Sequence, residues 1–271
     1  NAEPRIPQPV IRTDAEAPHR PSTWEPALAS AAEAVKRIAP NQLAIIASGR
    51  MTNEELYMVR HLAAQIGTDM VDIVPRMGES DGMLISADRN PNTNGARLVL
   101  GIEPGSRLDA IREGVRSGSV KGILTLGEDL TSPEAGFTAE ELDKLDYLFM
   151  TAHSANETAR HADLVLPGVT YAEKFGTMIN VTGRIQRLNR AIQPIGYARD
   201  DWQIFRDITL LLGGNPALKN FNSALDILTA MSTEYGALNG VSWGSIGDGG
   251  QPILETGVTI PVVEREKNQG R

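Results

Sequence analysis

An α/β fold, a doubly wound and mostly parallel sheet with helices on both faces, is what this sequence predicts, and three observations carry the prediction. Short, nearly unbroken apolar runs recur along the chain. Stretches with helical period lie between them, several opened by a Ser/Thr residue answered by an acid three positions on. The alternation runs from Ser22 to Pro167, within an α/β domain expected over residues 22–213. Unbroken apolarity over so few residues suits strands covered on both faces. Strands that alternate with helices imply βαβ units, hence a parallel sheet.

The elements follow in order. Residues 1–21 carry Pro4, Pro7, Pro9, Pro18 and Pro21 among charged residues and read as an extended arm or linker. The chain starts on Asn1-Ala2 without a Met, which suggests a tag remnant on a domain taken from a larger protein. Ser22 and Glu25 open a helix with Leu28, Ala31, Val35 and Ile38 on one face, stopped by Pro40. Thr52 and Glu55 form a second capping box, before Leu56, Val59, Leu62, Ala63 and Ile66, with Gly67 as the stop. Ser106 and Asp109 open a third helix that ends at Gly118; Thr138 with Glu141 and Ser154 with Glu157 open shorter ones. Between them, strands are expected at residues 43–47, 71–74, 98–100, 122–126, 147–150 and 164–166. After Pro167 the pattern changes. Residues 177–181 and 184–188 flank Thr182-Gly183 as a hairpin or extended excursion. A helix over 200–212 closes the α/β domain, and 214–271 holds one more helix, at 223–235, and an extended tail.

Composition removes several function classes. A net charge of −8 argues against nucleic acid as a partner. No apolar run approaches the roughly 20 residues of a membrane-spanning helix, so no direct membrane insertion is expected. With no cysteine, the chain can hold neither a thiolate-ligated iron–sulfur cluster nor a disulfide. The four histidines form no HxxxH or HExxH pair, and no metal site is expected.

Motifs of nucleotide and acyl chemistry are also missing. No strand runs into GxGxxG, there is no GxxxxGK[ST], and Gly127-Glu128-Asp129 places acids where a phosphate would sit. No GxSxG elbow supports Ser48 or Ser154 as a nucleophile, and Ser154 reads as a helix cap. No catalytic residue is assigned. His153 does follow a predicted strand, where ligands bind in open α/β sheets.

The run ADLVLPGVTYAEKFGTMINVTGRIQRL is more specific. Glu173, Asn180, Arg184 and Gln186 are hydrogen-bonding residues set among Gly176 and Gly183, suited to locking an extended loop across the sheet's C-terminal edge. Lys174, Arg184, Arg187, Arg190 and Arg199 make a basic patch, fit either for an anionic group or for ion pairs with acids such as Asp200 and Asp201. This run resembles the molybdopterin oxidoreductases, with Glu173, Gly176, Thr177, Asn180, Gly183, Arg184 and Gln186 in the positions of the family motif and Ala198 to Trp202 matching its later A-x-x-D-W. The SGRMTNEE turn at Ser48, the NPN…GA segment at Asn90 and Gly127-Glu128-Asp129 agree in the same order, so the resemblance spans residues 22–247.

The resemblance implies a choice between two parents. Members that perform chemistry hold molybdenum or tungsten between pterins, and the chain lacks the segments that supply the metal ligand, a second α/β unit and a closing β-barrel. It is most similar to the large iron–sulfur subunit of bacterial NADH–quinone oxidoreductase. That similarity implies a non-catalytic scaffold domain without a cofactor, in the cytoplasm and peripheral to the inner membrane, partnered by other subunits of a respiratory complex whose iron–sulfur clusters lie elsewhere. The alternative is a fragment of a formate-dehydrogenase-like enzyme, in which Ser48, Gly49, Arg50, Asn53, Gly127, Glu128 and His153 line a pterin groove.

Overall fold

The structure is a computed structural model that describes residues 3–12, 17–83 and 85–258. Asn1-Ala2 and the last part of the predicted tail, 259–271, lie outside the described residues.

Two short strands, β1 (Val10–Ile11) and β2 (Arg20–Pro21), precede helix α1 (Trp24–Arg37). The wound unit then runs β3 (Leu43–Ala47), α2 (Asn53–Ile66), β4 (Val71–Ile73), α3 (Thr93–Leu100), α4 (Leu108–Ser117) and β5 (Gly122–Leu126). It continues through α5 (Ala139–Leu142), β6 (Tyr147–Ala152), α6 (Glu157–His161) and β7 (Leu164–Pro167). A hairpin of β8 (Gly176–Ile179) and β9 (Arg184–Leu188) leads to α7 (Asp201–Leu211), α8 (Ala224–Glu234), α9 (Trp243–Ile246) and β10 (Gln251–Pro252).

Among the described residues, seven strands form the main sheet in the order β2-β1-β7-β6-β5-β3-β4, and β10-β9-β8 form a second. The five strands from β7 to β4 are parallel, and β1 adds antiparallel to the edge of β7. The two faces follow the strand period of two. Leu43, Ile45 and Ala47 pack with α1, α2 and α7 on one side, whereas Ala44 and Ile46 pack with α4, α5 and α6 on the other. The predicted α/β class is therefore the observed one: a mostly parallel sheet between two helical layers.

Four local expectations are corrected. The box at Ser22 and Glu25 does not form: Thr23 is the N-cap of α1, without a side-chain cap, and Ser22 Oγ donates to the Thr23 carbonyl. Residues 98–100 are not a strand but the last turn of α3, which Gly101 ends in the left-handed region at φ 67°. Three apolar residues are too few to separate the two periods. Ser106 does not cap α4, whose N-cap is Arg107. The capping acceptor comes from the sheet instead: Asp72 on β4 accepts from the Gly105 and Arg107 amides at 2.9 and 2.6 Å. Ser154 does not cap α6 either. Asn156 does, accepting from the Ala159 amide at 3.0 Å, while Ser154 Oγ lies 2.7 Å from His153 Nδ1. The capping boxes at Thr52–Glu55 and Thr138–Glu141 form as the sequence suggests.

Candidate functional site

Chain direction reverses between β3 and β5: from β3 the chain winds outward to β4, then returns past β3 to add β5, β6 and β7 on the other side. In open α/β sheets this switch point, beyond the C-terminal strand ends, is where ligands bind. A cleft of about 380 Å³ opens here. Ser48 and Arg50 line it after β3, Gly127 after β5, His153 after β6, and Thr170 and Tyr171 after β7. Lys174 and Asp201 also contribute to its lining.

Of the residues expected in a groove, Ser48, Arg50, Gly127 and His153 are brought together in this cleft. Gly49, Asn53 and Glu128 are not part of its lining. A Cβ on Gly49 would lie 2.5 Å from Asn90 Cγ, so its role is close approach to that side chain. Glu128 is wholly buried and faces inward, paired with Arg76 at 2.5 Å and Arg50 at 3.3 Å. Its carboxylate is thus neutralised and does not repel an anion from the cleft, contrary to the expectation from Gly127-Glu128-Asp129. Arg50 also donates to the Gly127 carbonyl at 3.2 Å, while its side chain stays half exposed. His153 is held below the ordinary histidine value, first by burial and then by Arg5, Arg50 and Lys174, so it is neutral at pH 7.

Asn53 belongs to a buried interlock beneath the cleft. Thr177 donates its amide (2.8 Å) and hydroxyl (2.7 Å) to Glu54, and accepts from Asn53 Nδ2 at 2.9 Å. Asn92 donates to Asn53 Oδ1 (3.0 Å) and Met51 O (2.8 Å), and accepts from the Ile179 amide at 2.7 Å. The start of α2, the start of α3 and strand β8 are thereby locked together. Gly176 makes this approach possible, because a Cβ there would stand 2.6 Å from Glu54 Oε2 and 2.9 Å from Thr52 Cβ. Gly176→Ala is expected to cost about 1–3 kcal/mol through overpacking, read as a lower urea midpoint; an unchanged midpoint would show that the interlock gives way freely.

The remaining motif residues serve the same loop and hairpin. Glu173 is wholly buried and accepts from the Thr170 amide at 2.8 Å. Asn180 Oδ1 accepts from the Thr182 and Arg184 amides, both at 3.0 Å, and its Nδ2 donates to Gln186 Oε1 at 3.1 Å. Gly183 turns the hairpin at φ 77°, and Arg184 donates to the Gly250 carbonyl at 2.6 Å. Asn180 and Gln186 also border a separate groove of about 580 Å³.

The expected basic patch dissolves into internal partners. Lys174 is buried and pairs with Glu55 at 2.8 Å, and Arg190 pairs with Asp200 at 2.8 Å. Arg187 pairs with Asp248 and lies over the Trp243 ring, and Arg199 lies 4.2 Å from the Trp24 ring centroid. The ion-pair reading holds for Lys174, Arg187 and Arg190, and for Arg199 with Asp207 at 3.8 Å, whereas Arg184 bonds to a backbone carbonyl.

Burial lowers Lys174, but Glu55 and Asp201 outweigh it and hold the ammonium above the ordinary lysine value. Burial pushes Glu55 and Asp201 upward, Lys174 opposing it in both. Glu54 is raised to about 7, by burial first, against its bonds from Thr177. Sequence reasoning missed Arg76 and Tyr171, and named Asp201 as an ion-pair partner but not as part of the cleft. The signal for Arg76 was a lone cation three residues beyond the end of β4; for Asp201 it was an acid beside Trp202 opening a helix.

Residues 77–209 match the family described as molybdopterin oxidoreductase. The match, just under half of the chain, supports a molybdopterin oxidoreductase domain there. It is 32% identical over 138 residues to the "Putative formate dehydrogenase" of Staphylococcus haemolyticus (strain JCSC1435), covering 50% of this chain and 14% of that protein. A protein of the same description in Staphylococcus aureus (strain USA300) is 31% identical over 153 residues, covering 52% of this chain and 16% of the relative. Among solved structures, acetylene hydratase from Pelobacter acetylenicus superposes with a TM-score of 0.57 at 10% identity, over 89% of this chain and 65% of that one, which shows a shared fold.

The expected scaffold role in NADH–quinone oxidoreductase is overturned by these relatives, which are of formate-dehydrogenase type. That expectation rested on segments missing from the chain. Because the chain matches only 14–16% of these relatives' length, such absences do not separate a scaffold from an enzyme.

Proposed function

We propose that this chain forms one wall of the pterin site in a formate-dehydrogenase-like molybdenum or tungsten oxidoreductase. The observation that carries the reading is the cleft at the switch point, where Ser48, Arg50, Gly127 and His153 converge. The residues fit such a group. The volume suits a single small ligand, Arg50 offers a half-exposed cation, and Gly127 at φ 73° presents bare backbone, the nearest atom to a Cβ there being Ser48 Cβ at 3.8 Å. When bound, the metal–pterin group supplies the redox chemistry. The chain's own part is to bind and orient it: Arg50 toward an anionic substituent, neutral His153 as a hydrogen-bonding partner through its ring.

Among the described residues no three His, Asp or Glu side chains are arranged to hold a metal; this reading places the metal's protein ligand elsewhere in the parent protein. Thiolate-held iron–sulfur clusters would also lie outside this cysteine-free chain. Its partners would be the other domains or subunits of that oxidoreductase. Among the described residues no helix is long and apolar enough to cross a membrane.

The test is expression of the chain in a host that makes the molybdenum cofactor, followed by release of fluorescent pterin and elemental analysis for molybdenum and tungsten. Pterin retained in near-stoichiometric amount supports the reading; neither pterin nor metal above background would sink it. Arg50→Gln is expected to weaken binding of 6-carboxypterin, an anionic fluorescent pterin, by about tenfold, equivalent to one charge-assisted hydrogen bond, with little change in thermal midpoint. Equal affinity in the variant would remove Arg50 from the site.

A further inference from the structure

The N-terminal arm runs along the loop after β6, and one of its side chains reaches the loop after β7. The Ala155 amide donates to Pro4 O at 2.9 Å and the Ile6 amide to His153 O at 3.1 Å, in an antiparallel bridge centred on Arg5 and Ser154. Ile6 is buried in the core, so the arm's register is set. From this position Arg5 Nε donates to His153 O at 2.9 Å. Its Nη2 donates to Glu173 Oε2 at 2.8 Å and Oε1 at 3.1 Å. Glu173 also receives the Thr170 amide at 2.8 Å and the Ile195 amide at 3.2 Å. His153 and Thr170 both line the cleft.

A guanidinium is a planar fork whose donors point in set directions, so bonds to two loops constrain the distance between them. An ammonium is a point charge on a flexible stem. It can meet the carboxylate without also meeting the carbonyl. Glu173, wholly buried, has Arg5 as its ion-pair partner among the described residues. We infer that Arg5 is a positioning residue for the cleft, tying its His153 side to its Thr170 side and setting the gap that a ligand must fit. The role rests on the cleft being the binding site proposed above, but not on the ligand's identity.

The experiment is hydrogen–deuterium exchange of the full chain and of Arg5→Gln and Arg5→Lys, read on peptides covering 153–156 and 169–174, with 6-carboxypterin titrated against each protein. In Arg5→Gln, exchange in both loops should accelerate about tenfold, the size expected for losing a charged hydrogen bond, while β3 and β5 keep their rates and 6-carboxypterin affinity falls about tenfold. In Arg5→Lys, protection should return at 169–174, through the ion pair with Glu173, but not at 153–156. Unchanged exchange in both loops of a folded Arg5→Gln overturns the assignment. Should Arg5→Gln fail to fold, Arg5→Lys decides: selective loss at 153–156 supports the role, and wild-type protection in both loops overturns it. If the exchange pattern is as expected but 6-carboxypterin binds neither wild type nor variant, the positioning role stands and the pterin reading falls.

Discussion

Lys174→Met is expected to destabilise the chain by about 3–5 kcal/mol at neutral pH, the range for removing one partner of a buried ion pair. The ammonium lies 2.8 Å from Glu55 Oε1 and 3.7 Å from Asp201 Oδ2, and all three residues are buried. Methionine preserves the length and most of the packing of the lysine stem, so the loss isolates charge. Two carboxylates then remain in a low-dielectric site without their cation. The sign with pH follows. Both acids are already raised by burial; without Lys174 they rise further and take up protons as pH falls, and the penalty shrinks with them. Urea denaturation at pH 8 and pH 5 measures this, the loss being larger at pH 8. Equal losses at the two pH values would assign the effect to packing.

Glu54→Gln should act in the opposite direction. Glu54 is wholly buried and its pKa is raised from 4.5 to about 7, burial being the largest cause. The folded state therefore binds more protons than the unfolded state between pH 4.5 and 7. The stability due to this group is full below the unfolded value and is lost as pH rises through the folded one. A shift of this size corresponds to about 3 kcal/mol. Glutamine can keep both contacts, its carbonyl accepting from the Thr177 amide and its NH₂ donating to the Thr177 hydroxyl. The variant should be more stable than wild type above pH 7, by up to about 3 kcal/mol, and should lose the fall between pH 4.5 and 7. Thermal midpoints across pH 4–9 test this; parallel profiles for the two proteins would refute it.

Much of the fold was legible because its signals are local. The apolar run at 43–47 and the helical period after Thr52 depend on neighbours within one strand or one turn, and both appear as β3 and α2. Errors arose where a distant residue supplied what a local one was expected to supply. Asp72 caps α4 from across the sheet, so Ser106 is not needed. Arg76 reaches Glu128 over 52 positions, so an acid that seemed to repel anions is neutralised. The arm was legible as extended, but its pairing with β7 was not, since a strand of two residues carries no periodic pattern.

By itself the sequence determined the α/β class with its mostly parallel sheet and the resemblance to molybdopterin oxidoreductases, because hydrophobic period and motif order survive without any knowledge of contacts. It also determined that no thiolate-held cluster can sit in this chain. Only the tertiary structure decided which motif residues face the cleft and which are buried supports. Ser48, Arg50, Gly127 and His153 meet because the winding reverses between β3 and β5. Asn53, Gly176 and Thr177, equally prominent in the sequence, are drawn beneath it by Glu54 and Asn92. The physical reason is that a motif records which residue types recur, whereas exposure is set by hydrogen bonds and charges that close over long separations in the chain.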